Sequence, residues 1–157
     1  MSDTTAPIRA IDAVGNIWTE EALSVRPDWG DDFFVGKMKA QNALMPGLTL
    51  DDMVARMDAG GIGHGFLIAA KSGRGGLPGC YHLPPESGAR AVAAHPTRFS
   101  GLIGIDPYTG MDGVRELEHA VRELGFLGAH LYPHWYELAP DHRKYYPFYA
   151  KCAELGV

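Results

Sequence analysis

Residues 126–135 read FLGAHLYPHW, and the alternation of their side chains predicts a β-strand. One face of this strand carries Leu127, Ala129 and Leu131, and the other carries Gly128, His130, Tyr132 and His134. If both faces are covered, as in a parallel sheet, the two imidazoles and the phenol point into a shared cavity. A purely structural role, as hydrogen-bonded core residues, is the alternative for each of these polar side chains.

The periodicity on either side of this stretch predicts three more strands, over residues 8–18, 64–71 and 99–106. In the first of them, Asp12, Val14 and Asn16 fall on one face. Four helices are predicted, beginning at Thr49, at Pro84 and Pro85, at Met111 and near Pro147. Thr49 with Asp52 forms a start like a capping box, and a glycine or a proline stops each helix. Four βα units in a row predict a parallel sheet with right-handed crossovers.

The connecting segments are unequal, because those that follow strands are much longer than those that follow helices. Residues 19–48 after the first strand lack a clean period, which is typical of a lid or binding loop, although docking of the segment on the body of the protein by its aromatic side chains is the preferred interpretation. The glycine-rich residues 73–79 lack the spacing of a phosphate-binding loop, which favours a flexible loop. The asymmetry predicts that function lies at the carboxyl end of the sheet, where we expect His82, His130, His134 and His142, while His64, His95 and His119 lie elsewhere.

Composition restricts the class of protein. The chain has 157 residues, 46% hydrophobic and 21% charged, which suits one globular domain. A net charge of −5 without a basic cluster argues against nucleic acid and anionic membrane as partners. Cys80 and Cys152 form neither a metal-binding nor a disulfide pattern, and we find no secretion signal and no run of transmembrane length. These features predict a cytoplasmic protein.

Three stretches of the sequence resemble the amidohydrolase-related family, in the branch that contains aminocarboxymuconate-semialdehyde decarboxylase and aromatic-acid decarboxylases. They are IDAVGNIW (11–18), HPTRFSGLIGIDP (95–107) and GFLGAHLYPHWYELAPDHRKYYPFYAKCAELGV (125–157). The resemblance implies an α/β fold of the (β/α)8 TIM-barrel type, of which residues 1–157 would form about the first four βα units, a single, incomplete domain. A flavodoxin-like fold is the alternative, but no phosphate-binding first loop supports it.

The resemblance also implies a catalytic metal, bound in the family by the two histidines of an Asp-x-His-x-His first strand. Here Asp12 is present, but Val14 and Asn16 stand at the histidine positions. Valine has no lone pair, and an asparagine amide is a poor ligand for a transition metal. The family's remaining ligands lie beyond Val157, so we expect no zinc or manganese cofactor. Related lactonases act without metal, so losing these ligands does not imply losing activity.

Seven residues are candidates for the site. For catalysis we select His130 and His134 as acid or base, Tyr132 as a donor to an oxyanion, and Asp106. Asp106 would orient a histidine or, preferably, cap the segment that follows it. For substrate binding we select Asn16, Trp18 and Lys71, although a solvated charge at the edge of a loop is the slightly preferred interpretation of Lys71.

The resemblance and these residues together predict an enzyme that hydrolyses, or decarboxylates without oxidation, a small carboxylated or aromatic compound. The alternative is a catalytically inactive family member that serves as a binding or structural module. We expect a small-molecule substrate, and either a homo-oligomer or completion of the barrel by a second half.

Overall fold

A computed structural model describes residues 10–40 and 42–157 of the chain. The strands in these residues are, in chain order, β1 (Ala10–Asn16), β2 (Ile62–Ala69), β3 (Lys71–Ser72), β4 (Tyr81–His82), β5 (Phe99–Gly104) and β6 (Gly128–His130). Four of them form a parallel sheet in the order β1-β2-β5-β6, and β3 pairs antiparallel with β4. The predicted parallel sheet is therefore confirmed. Residues 8 and 9, which we assigned to the first strand, lie outside the described residues.

The helices are α1 (Glu20–Ser24), α2 (Trp29–Asp31), α3 (Leu50–Ala59), α4 (Pro85–Ala94), α5 (Met111–Arg122), α6 (Pro133–Tyr136) and α7 (Tyr146–Leu155). A π-helical turn, Asp32–Lys37, continues α2, and a 3-10 turn spans Asn42–Leu44. The four predicted helices correspond to α3, α4, α5 and α7. No helix within the described ranges is long and apolar enough to cross a membrane.

The helix ends follow local chemistry, which is why the sequence predicts them well. Thr49 Oγ1 accepts a hydrogen bond from the Asp52 backbone N–H at 3.0 Å, and the Asp52 carboxylate accepts one from the Thr49 N–H at 3.3 Å. These two bonds complete the predicted capping box at the start of α3. At the other end of the chain, Gly156 ends α7 with a φ of 75°, a left-handed conformation that glycine adopts without strain.

The helices cover one face of the sheet, here called the outer face. Ile103 of β5 belongs to a buried cluster with Val114 and Leu117 of α5 and Phe148 of α7. The opposite face is here called the inner face. The register shows which residues lie on it, since directly paired residues point to the same side of a sheet. Asn16, Ile68, Leu102 and Gly128 form one row across the four strands on this face.

A bulge in β1 overturns the predicted alternation of the first strand. Asp12 pairs with Gly65 and Gly15 pairs with Leu67, so three steps along β1 match two steps along β2. The extra residue reverses the order of faces. Asp12 therefore lies on the outer face while Asn16 lies on the inner face, and the prediction that they share a face is wrong.

The predicted strand over residues 126–135 is also too long, because β6 ends at His130. Pro133 has no N–H to donate to a ladder, and its fixed φ suits the first turn of a helix, so α6 begins there. Residues 19–48 likewise contain short helical turns rather than irregular chain alone. These short turns are held by local hydrogen bonds and carry no long apolar period, so the periodicity of the sequence does not predict them.

Candidate functional site

His130, Tyr132 and His134 lie together although only His130 belongs to a strand. The rings of His130 and Tyr132 are 4.4 Å apart between centroids, and those of Tyr132 and His134 are 6.0 Å apart. His130 is two residues beyond Gly128, so it points to the inner face, as does Asn16 at the far edge of the sheet. The sequence thus placed these three rings together correctly, although it assigned two of them to the wrong element.

Burial controls the protonation of this cluster. The Nδ1 atom of His130 is buried and has no hydrogen-bond partner among the described residues. Burial lowers the pKa of His130, since a charged imidazolium loses its hydration there. The same cause raises the pKa of Tyr132, and it raises the pKa of the neighbouring Tyr81 to about 12. The cluster therefore holds a neutral imidazole beside two protonated phenols at neutral pH.

Asp106 occupies a different place from these rings. Its side chain is only 2% exposed, and it accepts hydrogen bonds from the backbone N–H groups of Tyr108, at 2.8 Å, and of Gly75, at 3.0 Å. The first bond caps the segment after β5, as preferred from the sequence. The second bond crosses to the glycine-rich loop 73–79. Both carboxylate oxygens thus bind backbone, and one side chain holds two loops.

A cavity of about 450 Å³ opens at the carboxyl end of the sheet. Three connections line it: the glycine-rich loop after β3, Tyr108 after β5, and the residues His134–Glu137 of and after α6. The cavity lies at the end of the sheet where we expect function, and the location of the site there stays a prediction. The rings of His130, Tyr132 and His134 are here called the ring cluster. His134 connects this cluster to the cavity, because it lines the cavity and also packs against Tyr132.

Two cations that we did not select from the sequence contact the ring of Tyr108, and one of them, Arg74, also lines this cavity. The Arg74 guanidinium carbon is 4.3 Å, and the Lys144 Nζ 4.7 Å, from the centroid of the Tyr108 ring. Neither has a carboxylate within 4 Å in the described part of the chain. Arg74 stands in a glycine-rich loop and Tyr108 follows the predicted strand 99–106 by two residues, and these positions are the available sequence signals.

Aromatic residues dock the segment after β1 on the other loops, as we predicted. Trp29 stacks on Trp135 at a centroid distance of 5.4 Å, and its Nε1–H donates to the Gly79 carbonyl at 2.9 Å. Trp18, a candidate substrate-binding residue, donates its Nε1–H to the Leu44 carbonyl at 2.8 Å and contacts the ring of Phe34. Its indole nitrogen therefore holds the loop instead of facing the cavity.

The interpretation of Lys71 as a solvated charge is wrong. Lys71 is 7% exposed, and its Nζ forms an ion pair with Glu116 of α5. Its backbone carbonyl accepts a hydrogen bond from the Tyr136 hydroxyl at 2.9 Å. Since α5 covers the outer face, this ammonium points away from the inner face, and Glu116 already occupies the place of a substrate carboxylate.

The residues of β1 do not fit the family's metal. Among residues 10–40 and 42–157, no three His, Cys, Asp or Glu side chains approach closely enough to hold an ion. Val14 offers no donor atom, Asn16 offers an amide, and the bulge turns Asp12 to the outer face. The described residues therefore lack the ligand pair of the first strand, and a metal-free enzyme stays a prediction.

Four parallel strands that alternate with outer helices, with a cavity at their carboxyl ends, form the arrangement of half of a (β/α)8 barrel. The family model described as amidohydrolase matches residues 11–157. The chain therefore belongs to the amidohydrolase family, which confirms the resemblance and the fold class.

Solved structures agree with this fold. A 5-carboxyvanillate decarboxylase of Novosphingobium aromaticivorans superposes with a TM-score of 0.68 at 22% identity, over 99% of this chain and 50% of that one. A 4-oxalomesaconate hydratase of Rhodopseudomonas palustris gives 0.58 at 23% identity, over 94% and 50%. A curated relative, the 2-keto-4-carboxy-3-hexenedioate hydratase of a Sphingobium species, is 36% identical over 77 residues, 44% of this chain and 23% of that protein. The chain thus spans about half the length of these solved relatives.

Proposed function

We propose that this chain contributes to an enzyme that decarboxylates without oxidation, or hydrolyses, a small carboxylated aromatic compound. The observation that carries the proposal is His130, whose buried Nδ1 has no partner in the described residues while the ring faces the inner side of the sheet. A buried polar atom without a partner is costly to a structure and is common where a substrate completes the hydrogen bond.

The chemistry of the cluster suits proton transfer. Its lowered pKa keeps His130 neutral near pH 7, so that one ring nitrogen can accept a proton. With a hydroxylated aromatic carboxylate, His130 would take the hydroxyl proton and return it to the ring carbon. The bond from that carbon to the carboxylate breaks, and CO₂ leaves. The electron pair of this bond stays with the ring, which now carries the proton, so the product is a phenolate with the same charge as the starting carboxylate. Tyr132, protonated at this pH, would donate to the developing phenolate.

The relatives support the substrate class. The names of the three proteins compared above each describe an enzyme acting on a carboxylated compound, two of them hydratases and one a decarboxylase. We prefer decarboxylation because the proposed proton route needs only the imidazole. Hydration or hydrolysis would use the same imidazole to activate water.

The experiment measures CO₂ release from a panel of hydroxybenzoates labelled with ¹³C in the carboxyl group, using the full protein. Its matched pair of variants is His130→Asn and His119→Asn, since His119 is a partly exposed residue on the outer helix α5. We expect His130→Asn to lose roughly 10²- to 10⁴-fold in kcat/KM, the usual contribution of a general acid or base. A fully active His130→Asn enzyme would refute the assignment. No turnover of any carboxylated aromatic compound would favour the inactive binding module.

A further inference from the structure

We propose that Arg74 and Lys144 form a carboxylate-binding subsite beside the cavity, with the Tyr108 ring as their common support. The inference rests on the proposed function for its substrate class, but it concerns residues outside the ring cluster. Arg74 and Tyr108 line the cavity, and Lys144 lies within 4.7 Å of the centre of the same ring.

The two cations share one aromatic ring and have no counter-ion in the described residues. Each gains a contact with the negative face of the ring, but two like charges near one ring also repel each other. Arg74 and Lys144 have no carboxylate partner in the described ranges, whereas most other arginine and lysine side chains there are paired. Glu137, which also lines the cavity, forms no ion pair with either cation. A bound anion would relieve this repulsion.

The backbone that carries Arg74 is fixed on both sides. The Gly73 carbonyl lies 2.7 Å from His82 Nε2, and the Gly75 N–H donates to Asp106 at 3.0 Å. Asp106 also binds the N–H of Tyr108. One carboxylate therefore sets the position of the guanidinium relative to the ring that supports it, and Asp106 is a positioning residue of the subsite.

The two cations contrast with the net charge of the chain. The whole chain carries a formal charge of −5, so two unpaired cations on one ring beside a cavity attract anions against a negative background. Guanidinium binds a planar carboxylate through two parallel N–H groups, and an ammonium adds a point charge. The pair thus suits the carboxylate of a planar aromatic acid.

Binding of benzene-1,3-dicarboxylate, benzoate and benzamide by calorimetry tests the proposal directly, on the full protein and without turnover. The variants are Arg74→Gln and Lys144→Gln, with Arg143→Gln as the matched control, because Arg143 is an exposed neighbour of Lys144 whose guanidinium does not lie over the Tyr108 ring. We expect the dicarboxylate to bind at least tenfold more tightly than benzamide. Arg74→Gln and Lys144→Gln should each bind the dicarboxylate roughly 10- to 100-fold more weakly, which is the loss typical of one charged hydrogen bond. Arg143→Gln should keep the parent affinity.

The outcomes separate this subsite from the proposed reaction. Equal binding of dicarboxylate and benzamide, or unchanged binding in both Arg74→Gln and Lys144→Gln, would overturn the subsite even if the enzyme decarboxylates an aromatic acid. Selective loss of binding in these variants would support the subsite even if no turnover is found. Circular dichroism of each variant confirms that the fold is retained, and Arg74→Lys, which keeps the charge, should recover part of the affinity.

Discussion

At the scale of single residues, Asp106 shows what the sequence can predict and what it cannot. Its position after a strand and two residues before Tyr108 predicts a cap, since that bond is local. The bond to Gly75 joins residues far apart in the chain, and no pattern in the sequence records it. For the same reason Lys71 was misassigned, because its partner Glu116 belongs to a distant helix.

Asp106→Asn tests this double role. One amide oxygen can still accept a backbone N–H, but the amide nitrogen then faces the second N–H and cannot accept. We expect a loss of about 1–3 kcal/mol in the free energy of unfolding, measured by urea titration, and weaker binding of benzene-1,3-dicarboxylate. Asp141→Asn, at an exposed loop residue, is the control. Unchanged stability and binding in Asp106→Asn would show that the two bonds matter little.

His130 predicts a pH dependence of stability. Burial holds the pKa of His130 in the folded protein below its ordinary value of 6.5, so the unfolded chain takes up the proton first as pH falls. The contribution of His130 to the free energy of unfolding is fully present above about pH 6.5 and is lost on acidification below that value. Thermal unfolding between pH 7.5 and 5.5 should therefore depend less on pH in His130→Asn than in the parent or in His119→Asn. Parallel curves for all three proteins would contradict this account.

At the scale of elements, helices were predicted best and strands worst. Helix ends depend on neighbouring residues, as in the Thr49 capping box, whereas strand ends depend on which backbone groups of another strand are available for pairing. The bulge in β1 exists only in its pairing with β2, and so Asp12 was placed on the wrong face. Pro133 was visible in the sequence and should have ended the strand earlier.

The composition of β1 predicts the metal content of the protein. Because Val14 and Asn16 replace the family's histidine pair, we expect preparations to contain no stoichiometric zinc or manganese. Elemental analysis by mass spectrometry measures this directly, with Asn42→Ala as a control outside the strand. About one metal ion per chain that is lost on Asn16→Ala would show the prediction to be wrong.

At the scale of the whole molecule, the sheet is open on both sides. Its edge strands β1 and β6 have neighbours on one side only within the described residues, and Ile11 and Val14 are 63% and 54% exposed. A closed barrel removes such edges and covers such side chains. The order of the four units could be predicted from the sequence, because alternating strands and helices permit few topologies.

We therefore predict that the 157-residue chain alone is not a self-sufficient monomer, and that it pairs with a second copy or with a second half. Each aliphatic side chain left unburied forgoes roughly 1.5–3 kcal/mol, against about 5–15 kcal/mol for the stability of a typical domain. Analytical ultracentrifugation of this chain measures its state of association. A compact monomer with one sharp thermal transition would contradict the prediction.

The stacked Trp29 and Trp135 have a geometric consequence for this open sheet. Trp29 follows β1 and Trp135 follows β6, so the contact joins the loops of the two opposite edges of the sheet. Three strand spacings of about 4.8 Å separate those edges, and the long segment between β1 and Trp29 spans them. The indole pair therefore ties the loops of the first and last strands to each other across the carboxyl end of the sheet.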